Sequence, residues 1–172
     1  VVRYDPITHQ GIIMIGPTLQ DAGYIAMWEN KIYNMPHSGS GIDEYEANYI
    51  TNTYSFVQNI PGPTGVYMYS VSYNMRDATT LVTHQDEVIA IWDISSGTAV
   101  LSSWVDIGVS PFGDLINTSQ GFMVSYTAGM STNPPSSGDG IAHYDFTGNL
   151  IDFATSSVLG GNLSSAGMYK IY

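Results

Sequence analysis

The sequence predicts an all-β protein, most simply a β-propeller of four blades, and three observations carry the prediction. A glycine opens a short apolar strand four times: Gly23-Tyr24-Ile25-Ala26-Met27-Trp28, Gly65-Val66-Tyr67-Met68-Tyr69-Ser70, Gly121-Phe122-Met123-Val124-Ser125-Tyr126 and Gly167-Met168-Tyr169-Lys170-Ile171-Tyr172. A second signature alternates with it, an aliphatic residue followed by two spacers, an aromatic residue and a carboxylate: Val1-Tyr4-Asp5, Ile42-Tyr45-Glu46, Ile89-Trp92-Asp93 and Ile141-Tyr144-Asp145. Two alternating signals at a coarse period of about 40 to 50 residues, in a strand-forming pattern, mark propeller blades. The third observation is composition: 13 Tyr and 18 Gly accompany many Ser, Thr, Val and Ile, while four Lys and Arg leave little to solvate helices.

Each unit reads as a short strand, the glycine strand, a variable loop, the aromatic-acid strand, a turn and a last strand. Val1 to Asp5 is the third strand of the unit in which the chain opens. In the next glycine strand Tyr24, Ala26 and Trp28 point one way while Ile25 and Met27 point the other. Apolar residues on both faces suit a strand sandwiched between neighbouring sheets, since a sheet with one wet face alternates apolar with polar. Ile42 to Glu46 is the matching third strand, and Ile89 to Asp93 the next, closed by the turn Ser95-Ser96-Gly97. The following unit is the most complete. Leu115 to Asn117 precedes Gly121, Phe122 to Thr127 is the glycine strand, and a loop from Ala128 to Gly140 carries Pro134-Pro135-Ser136-Ser137-Gly138. Ile141 to Asp145 comes third, Thr147-Gly148-Asn149 turns the chain, and Leu150 to Ala154 ends the unit. Glycine in such turns permits the positive φ that hairpins require.

Met168 to Tyr172 reads as a second strand, so the two chain ends together would complete one blade and close the ring. The expected architecture is a single domain, residues 1–172, of four repeats, with N- and C-terminal strands in one blade. The alternatives are a fragment of a larger propeller and a β-sandwich. The chain opens on Val1 with neither an initiator Met nor an apolar signal stretch, so a processed form or an excised piece is expected. No stretch approaches the roughly 18 to 20 apolar residues of a spanning helix, and no membrane insertion is expected.

Fifteen carboxylates against four basic residues give a formal charge of -11. Arg3, Lys31, Arg76 and Lys170 are scattered, whereas phosphate binding needs clustered cations, so nucleic acid is not an expected partner. The absence of Cys removes disulfides, thiolate chemistry and the commonest structural zinc sites.

Gly121 to Tyr126, with Ser137-Gly138-Asp139-Gly140-Ile141-Ala142-His143-Tyr144-Asp145 and Gly148-Asn149-Leu150, resembles a propeller-type repeat of large bacterial surface and secreted proteins, related to the FG-GAP-like group. The resemblance covers about Leu115 to Ala154 best, then the unit with Gly65 and Trp92, and least the unit with Gly23. It implies a binding or spacer module of an adhesin-like, extracellular or cell-surface chain, without catalytic residues of its own. The Asp-x-Asp-x-Asp-Gly calcium loop of FG-GAP blades is absent from this sequence, which argues against calcium; no cofactor is expected.

The residues favour the same side. Asp5, Glu46, Asp93 and Asp145 recur in equivalent places, as carboxylates do that accept backbone N–H bonds at strand-ending turns. A polysaccharide hydrolase would need nonequivalent acids about 5 to 10 Å apart in one cleft, and no spacing selects a pair among Asp43, Glu44, Asp86, Glu87, Asp114 and Asp152. Asp43-Glu44-x-Glu46 and Asp86-Glu87 read as solvated loops, with a hard-cation site as the alternative. His9, His37, His84 and His143 are isolated and lack metal-ligand spacing. Trp28, Trp92 and Trp104 read as packed between blades. Tyr45, Tyr49, Tyr67, Tyr69 and Tyr73, with Trp92, are the candidate ligand-binding residues, because rings beside Asn and Asp suit carbohydrate or protein surfaces. A noncatalytic module binding carbohydrate or a protein partner is expected; a structural or assembly protein of a fibre, virion or surface layer is the alternative, and the hydrolase comes third.

Overall fold

The computed structural model describes residues 1–5, 7–19, 25–36, 41–64, 72–85, 88–107, 111–126 and 140–155. Those residues form fourteen strands and no helix. Strands β1 (Val2–Asp5) and β2 (Gln10–Ile13) make an antiparallel hairpin. Three four-stranded antiparallel meanders follow. The first joins β3 (Ile25–Trp28), β4 (Lys31–Asn34), β5 (Gly41–Asn48) and β6 (Thr53–Pro61). The second joins β7 (Ser72–Met75), β8 (Thr80–Gln85), β9 (Val88–Asp93) and β10 (Val100–Asp106). The third joins β11 (Pro111–Asn117), β12 (Gly121–Tyr126), β13 (Gly140–Asp145) and β14 (Leu150–Thr155).

Strand alternation sends neighbouring residues to opposite faces, and each face meets a different sheet. Ile32 packs with Met14, Tyr45 and Tyr54 toward the hairpin, while Tyr33 packs with Tyr73, Met75 and Leu81 toward the second meander. One residue after Leu81, Val82 joins Leu115, Phe122, Val124 and Tyr144 of the third meander. The middle sheet is therefore covered on both sides, and the sheets stack in series rather than as a single sandwich pair. The first strands follow the same order, with β3 beside β7 and β7 beside β11.

Recurrent hairpins between third and fourth strands fix the register. Asp5 Oδ1 accepts from the N–H groups of Ile7 and Thr8, Asp93 Oδ1 from Ser95, and Asp145 Oδ1 from Thr147 and Asn149. Hydrogen bonds favour the ionised form and hold all three carboxyls below their usual range, the backbone N–H groups foremost at Asp5 and Asp93 and the Thr147 hydroxyl foremost at Asp145. Glu46 departs from the expectation: a register shift lies beside Tyr45, and Asn48, two residues later, accepts from Ile50 and Thr51 instead. Each of the four turns also holds a left-handed residue, His9, Asn52, Gly97 or Gly148.

The glycine signature does not mark one strand. Gly121 opens a second strand, as expected, but the copy at Gly23 feeds β3, which is the first strand of its sheet. The copies at Gly65 and Gly167, and with them the expected pairing of the two chain ends, lie outside the described residues.

Candidate functional site

The aromatic candidates separate by burial. Tyr45 is buried against Tyr54 and Phe56, its ring edge-on to both at centroid distances of 5.9 and 5.6 Å. Tyr73 is buried in the seam between the first two meanders, where its hydroxyl accepts the Met35 N–H at 3.1 Å and desolvation raises its pKa to about 12. Trp92 is buried in the same seam and donates Nε1–H to Thr83 Oγ1 at 3.0 Å. These three rings fill inter-sheet space, as expected for Trp92 between blades, and present no face to a ligand, which corrects the candidacy of Tyr45, Tyr73 and Trp92 as ligand-binding residues. Tyr67 and Tyr69 lie outside the described residues. Trp104, expected between blades, stands on the outermost strand β10 and is 63 % exposed, while Trp28 is partly buried.

The acidic run at Asp43 is strand, not loop. Alternation on β5 turns Asp43 to the face opposite Glu44 and Glu46: Asp43 accepts from Asn59 at 2.8 Å, while on the other face Glu46 accepts from Asn30 at 2.9 Å. Glu44 is buried, with Lys31 Nζ at 2.6 Å and Gln58 Nε2 at 2.7 Å. Its hydrogen bond raises the Lys31 pKa. Asp86 and Glu87 lie outside the described residues, among which no three metal-ligating side chains cluster. His9 pairs with the Tyr4 hydroxyl and His143 with Thr118, and neither stands near a second histidine or an acid pair.

Among the described candidates Tyr49 is placed beside open space. It lines a groove of about 350 Å³ with Val1, Val2, Arg3, Tyr4, Met14, Ile25 and Met27. The groove runs between the β1–β2 hairpin and the facing side of β3. Arg3 stands over the Tyr49 ring, 5.4 Å from Cζ to centroid, and its Nη1 reaches the Tyr49 carbonyl oxygen at 3.4 Å. The Tyr49 hydroxyl donates to the Glu29 carbonyl oxygen at 2.9 Å, which fixes the ring. Arg3 Nε is buried without a hydrogen-bond partner. Chemically the groove combines thioether, aliphatic and aromatic walls with one guanidinium in a strongly acidic protein.

Sequence reasoning missed Val2, Arg3, Tyr4, Ile25 and Met27 as a site. The apolar character of Val2, Tyr4, Ile25 and Met27 marks them as core and Arg3 is one of four scattered cations, whereas among the described strands β1 pairs with β2 alone and the four apolar side chains are exposed beside it.

No protein-family model matches the chain, and no curated protein matches it. Among solved structures, the chain is similar to a europium-containing methanol dehydrogenase, at 13% identity and a TM-score of 0.41, over 79% of this chain and 26% of that one. It is also similar to a protein from Lactobacillus plantarum, at 12% identity and a TM-score of 0.42, over 90% of this chain and 48% of that one. The chain spans less than half the length of either structure.

Proposed function

We propose that the chain is a noncatalytic module of the β-propeller type, belonging to an extracellular or cell-surface protein, and that it binds a protein partner through the groove at the β1–β2 hairpin. Serial stacking of meanders, with their first strands side by side, supports the propeller reading over a sandwich. The observation that carries the binding reading is the lining of the groove. Val2, Tyr4, Ile25 and Met27 expose contiguous apolar surface beside a single cation, the composition of a protein-docking patch. A sugar site needs a flat ring flanked by free polar groups, and here the Tyr4 and Tyr49 hydroxyls are already engaged.

The test is a parallel screen. Peptide display against the immobilised protein is expected to enrich apolar sequences whose binding is lost in Met27→Glu, while a glycan array stays blank. Glycan binding that survives Met27→Glu would refute the reading.

A second reading, an assembly subunit, is favoured by the outermost strands: Phe56 and Val57 on β6 and Val100, Leu101 and Trp104 on β10 are exposed. Sedimentation velocity tests it, because a monomer whose coefficient is independent of concentration is incompatible with self-assembly.

A further inference from the structure

We infer that the groove at the β1–β2 hairpin takes the C-terminus of its partner, seating the last, apolar side chain against Ile25 and Met27 and the terminal carboxylate on Arg3. The inference rests on the binding reading above and names the part of the partner that enters. Arg3 is the one charged side chain among the residues that line the groove. The chain carries fifteen carboxylates, yet among the described residues none pairs with Arg3, whereas Lys31 has Glu44 and Arg76 has Asp77. The acid on the same strand, Asp5, uses its Oδ1 to accept the N–H groups of Ile7 and Thr8 in its own turn.

The guanidinium is held in place before any ligand arrives. It stacks over the Tyr49 ring at 5.4 Å, and that ring is itself fixed by the bond from its hydroxyl to the Glu29 carbonyl oxygen at 2.9 Å. The one acceptor that Arg3 reaches is the Tyr49 carbonyl oxygen, 3.4 Å from Nη1, a long and therefore weak hydrogen bond. Stacking orients the fork while most of its donors go unfilled among the described residues. A planar cation so oriented suits a planar carboxylate, which can bridge Nη1 and Nη2 with two parallel charge-assisted bonds. Ordering the arginine beforehand removes part of the entropy cost of binding.

The size of the groove selects a chain end over an internal acid. At about 350 Å³ it lies near the lower limit for ligand pockets, which span roughly 300 to 1,000 Å³, so one or two residues enter and no whole element does. Apolar wall and cation are then met within one residue of each other. A C-terminal residue carries an apolar side chain and a carboxylate on the same Cα. An internal Asp or Glu has to take its apolar contact from a neighbour, and in an extended segment that neighbour points to the opposite face. Phosphate fits less well: it brings close to two charges and no apolar body to a chain of formal charge -11 with a single guanidinium in the groove. Capture of a terminal carboxylate beside an apolar pocket is an established way of recognising a peptide.

Two display libraries of random hexapeptides test it, one presenting free C-termini and the other presenting the same segments internally. Sequences with an apolar last residue should be enriched from the first library alone. Synthetic copies are then compared as carboxylate and as carboxamide by isothermal titration against the full chain. The acid should bind at least about tenfold more tightly than the amide, as expected of a hydrogen bond between charged groups, and the preference should shrink below about twofold in Arg3→Ala. Raising the salt should weaken the acid more than the amide, and Met27→Glu should abolish binding of both. Should Arg3→Ala fail to fold, the comparison of acid with amide on the parent protein decides alone. Equal binding by acid and amide overturns the inference, and if that binding is lost in Met27→Glu the docking reading survives without it. A preference for the acid that persists in a folded Arg3→Ala removes Arg3 from the site and overturns the inference too. No enrichment from either library overturns both readings, and Arg3-dependent binding of decanoate in that case assigns the groove to a small apolar acid instead.

Discussion

Leu81 and Val82 are adjacent, fully buried, and point to different sheets, so a pair of truncations tests serial stacking directly. Leu81→Ala removes packing against the first meander and should cost about 2 to 5 kcal/mol, the range for buried leucines whose cavities collapse only in part. Val82→Ala removes two methyl groups on the opposite face, for about 1 to 3 kcal/mol at roughly 0.5 to 1.5 kcal/mol each. Both are large against a total stability of about 5 to 15 kcal/mol. Urea unfolding followed by fluorescence should show lower midpoints at unchanged m-values, since the surface exposed on unfolding is nearly the same. Thermal midpoints should fall by about 2 to 4 °C per kcal/mol. If either variant stays within about 0.5 kcal/mol of the parent, one face of that sheet is wet and the stacked arrangement is wrong.

Gly121→Ala should destabilise by at least about 3 kcal/mol in the same assay, because a Cβ there would fall on the Tyr144 carbonyl oxygen and within 2.7 Å of Asp145 Cα, both backbone atoms. The Asp145 carboxyl is held below the usual carboxylate value first by the Thr147 hydroxyl, then by Asn149. A depressed pKa contributes stability that is present above the unfolded value, near 3.8, and is lost as pH falls below it. Melting temperatures taken from about pH 5 down to about pH 2 should therefore fall less steeply in Asp145→Asn than in the parent. Acrylamide should quench a variant retaining only Trp104 strongly and one retaining only Trp92 weakly, given 63% and 5% exposure; similar quenching would contradict the burial of the Trp92 ring.

The aromatic-acid signature was legible because one physical device produces it three times: an Asp directly after the strand aromatic accepts the freed N–H groups of its turn at Asp5, Asp93 and Asp145, and at Trp92 and Tyr144 the aromatic is also buried in a seam. Where a bulge intervenes at Tyr45, the device moves to Asn48, and the sequence match to Glu46 is accidental. The glycine signature failed for a related reason. At Gly121 the residue is small because β13 backbone crowds it, whereas β3, which follows the Gly23 copy, is the first strand of its sheet, and sequence alone does not separate the two strand positions. Burial of Tyr45 and Tyr73 was hidden because an amphipathic ring suits a wet surface and a hydrogen-bonded core equally, whereas Trp92 is packed between sheets as its sequence context suggests. Trp104 misled in the opposite direction: its apolar character said core, but the fourth strand is outermost and has no further strand beside it.

These failures point to where binding capacity can reside. A strand between two stacked sheets has both faces committed to neighbours, and both edges committed to its own meander, so little free surface remains on β4 or β8. Among the described residues the hairpin pairs on one edge only, and Ile25 and Met27 facing it are 36% and 40% exposed. A two-stranded sheet is marginal by itself in water. Here it is tied down from one side, by the Met14 side chain in the seam and by Ile15, whose backbone pairs with Asn52 and Tyr54. That anchorage holds the hairpin wall of the groove in place, so that Val2, Arg3 and Tyr4 face Ile25 and Met27 across it.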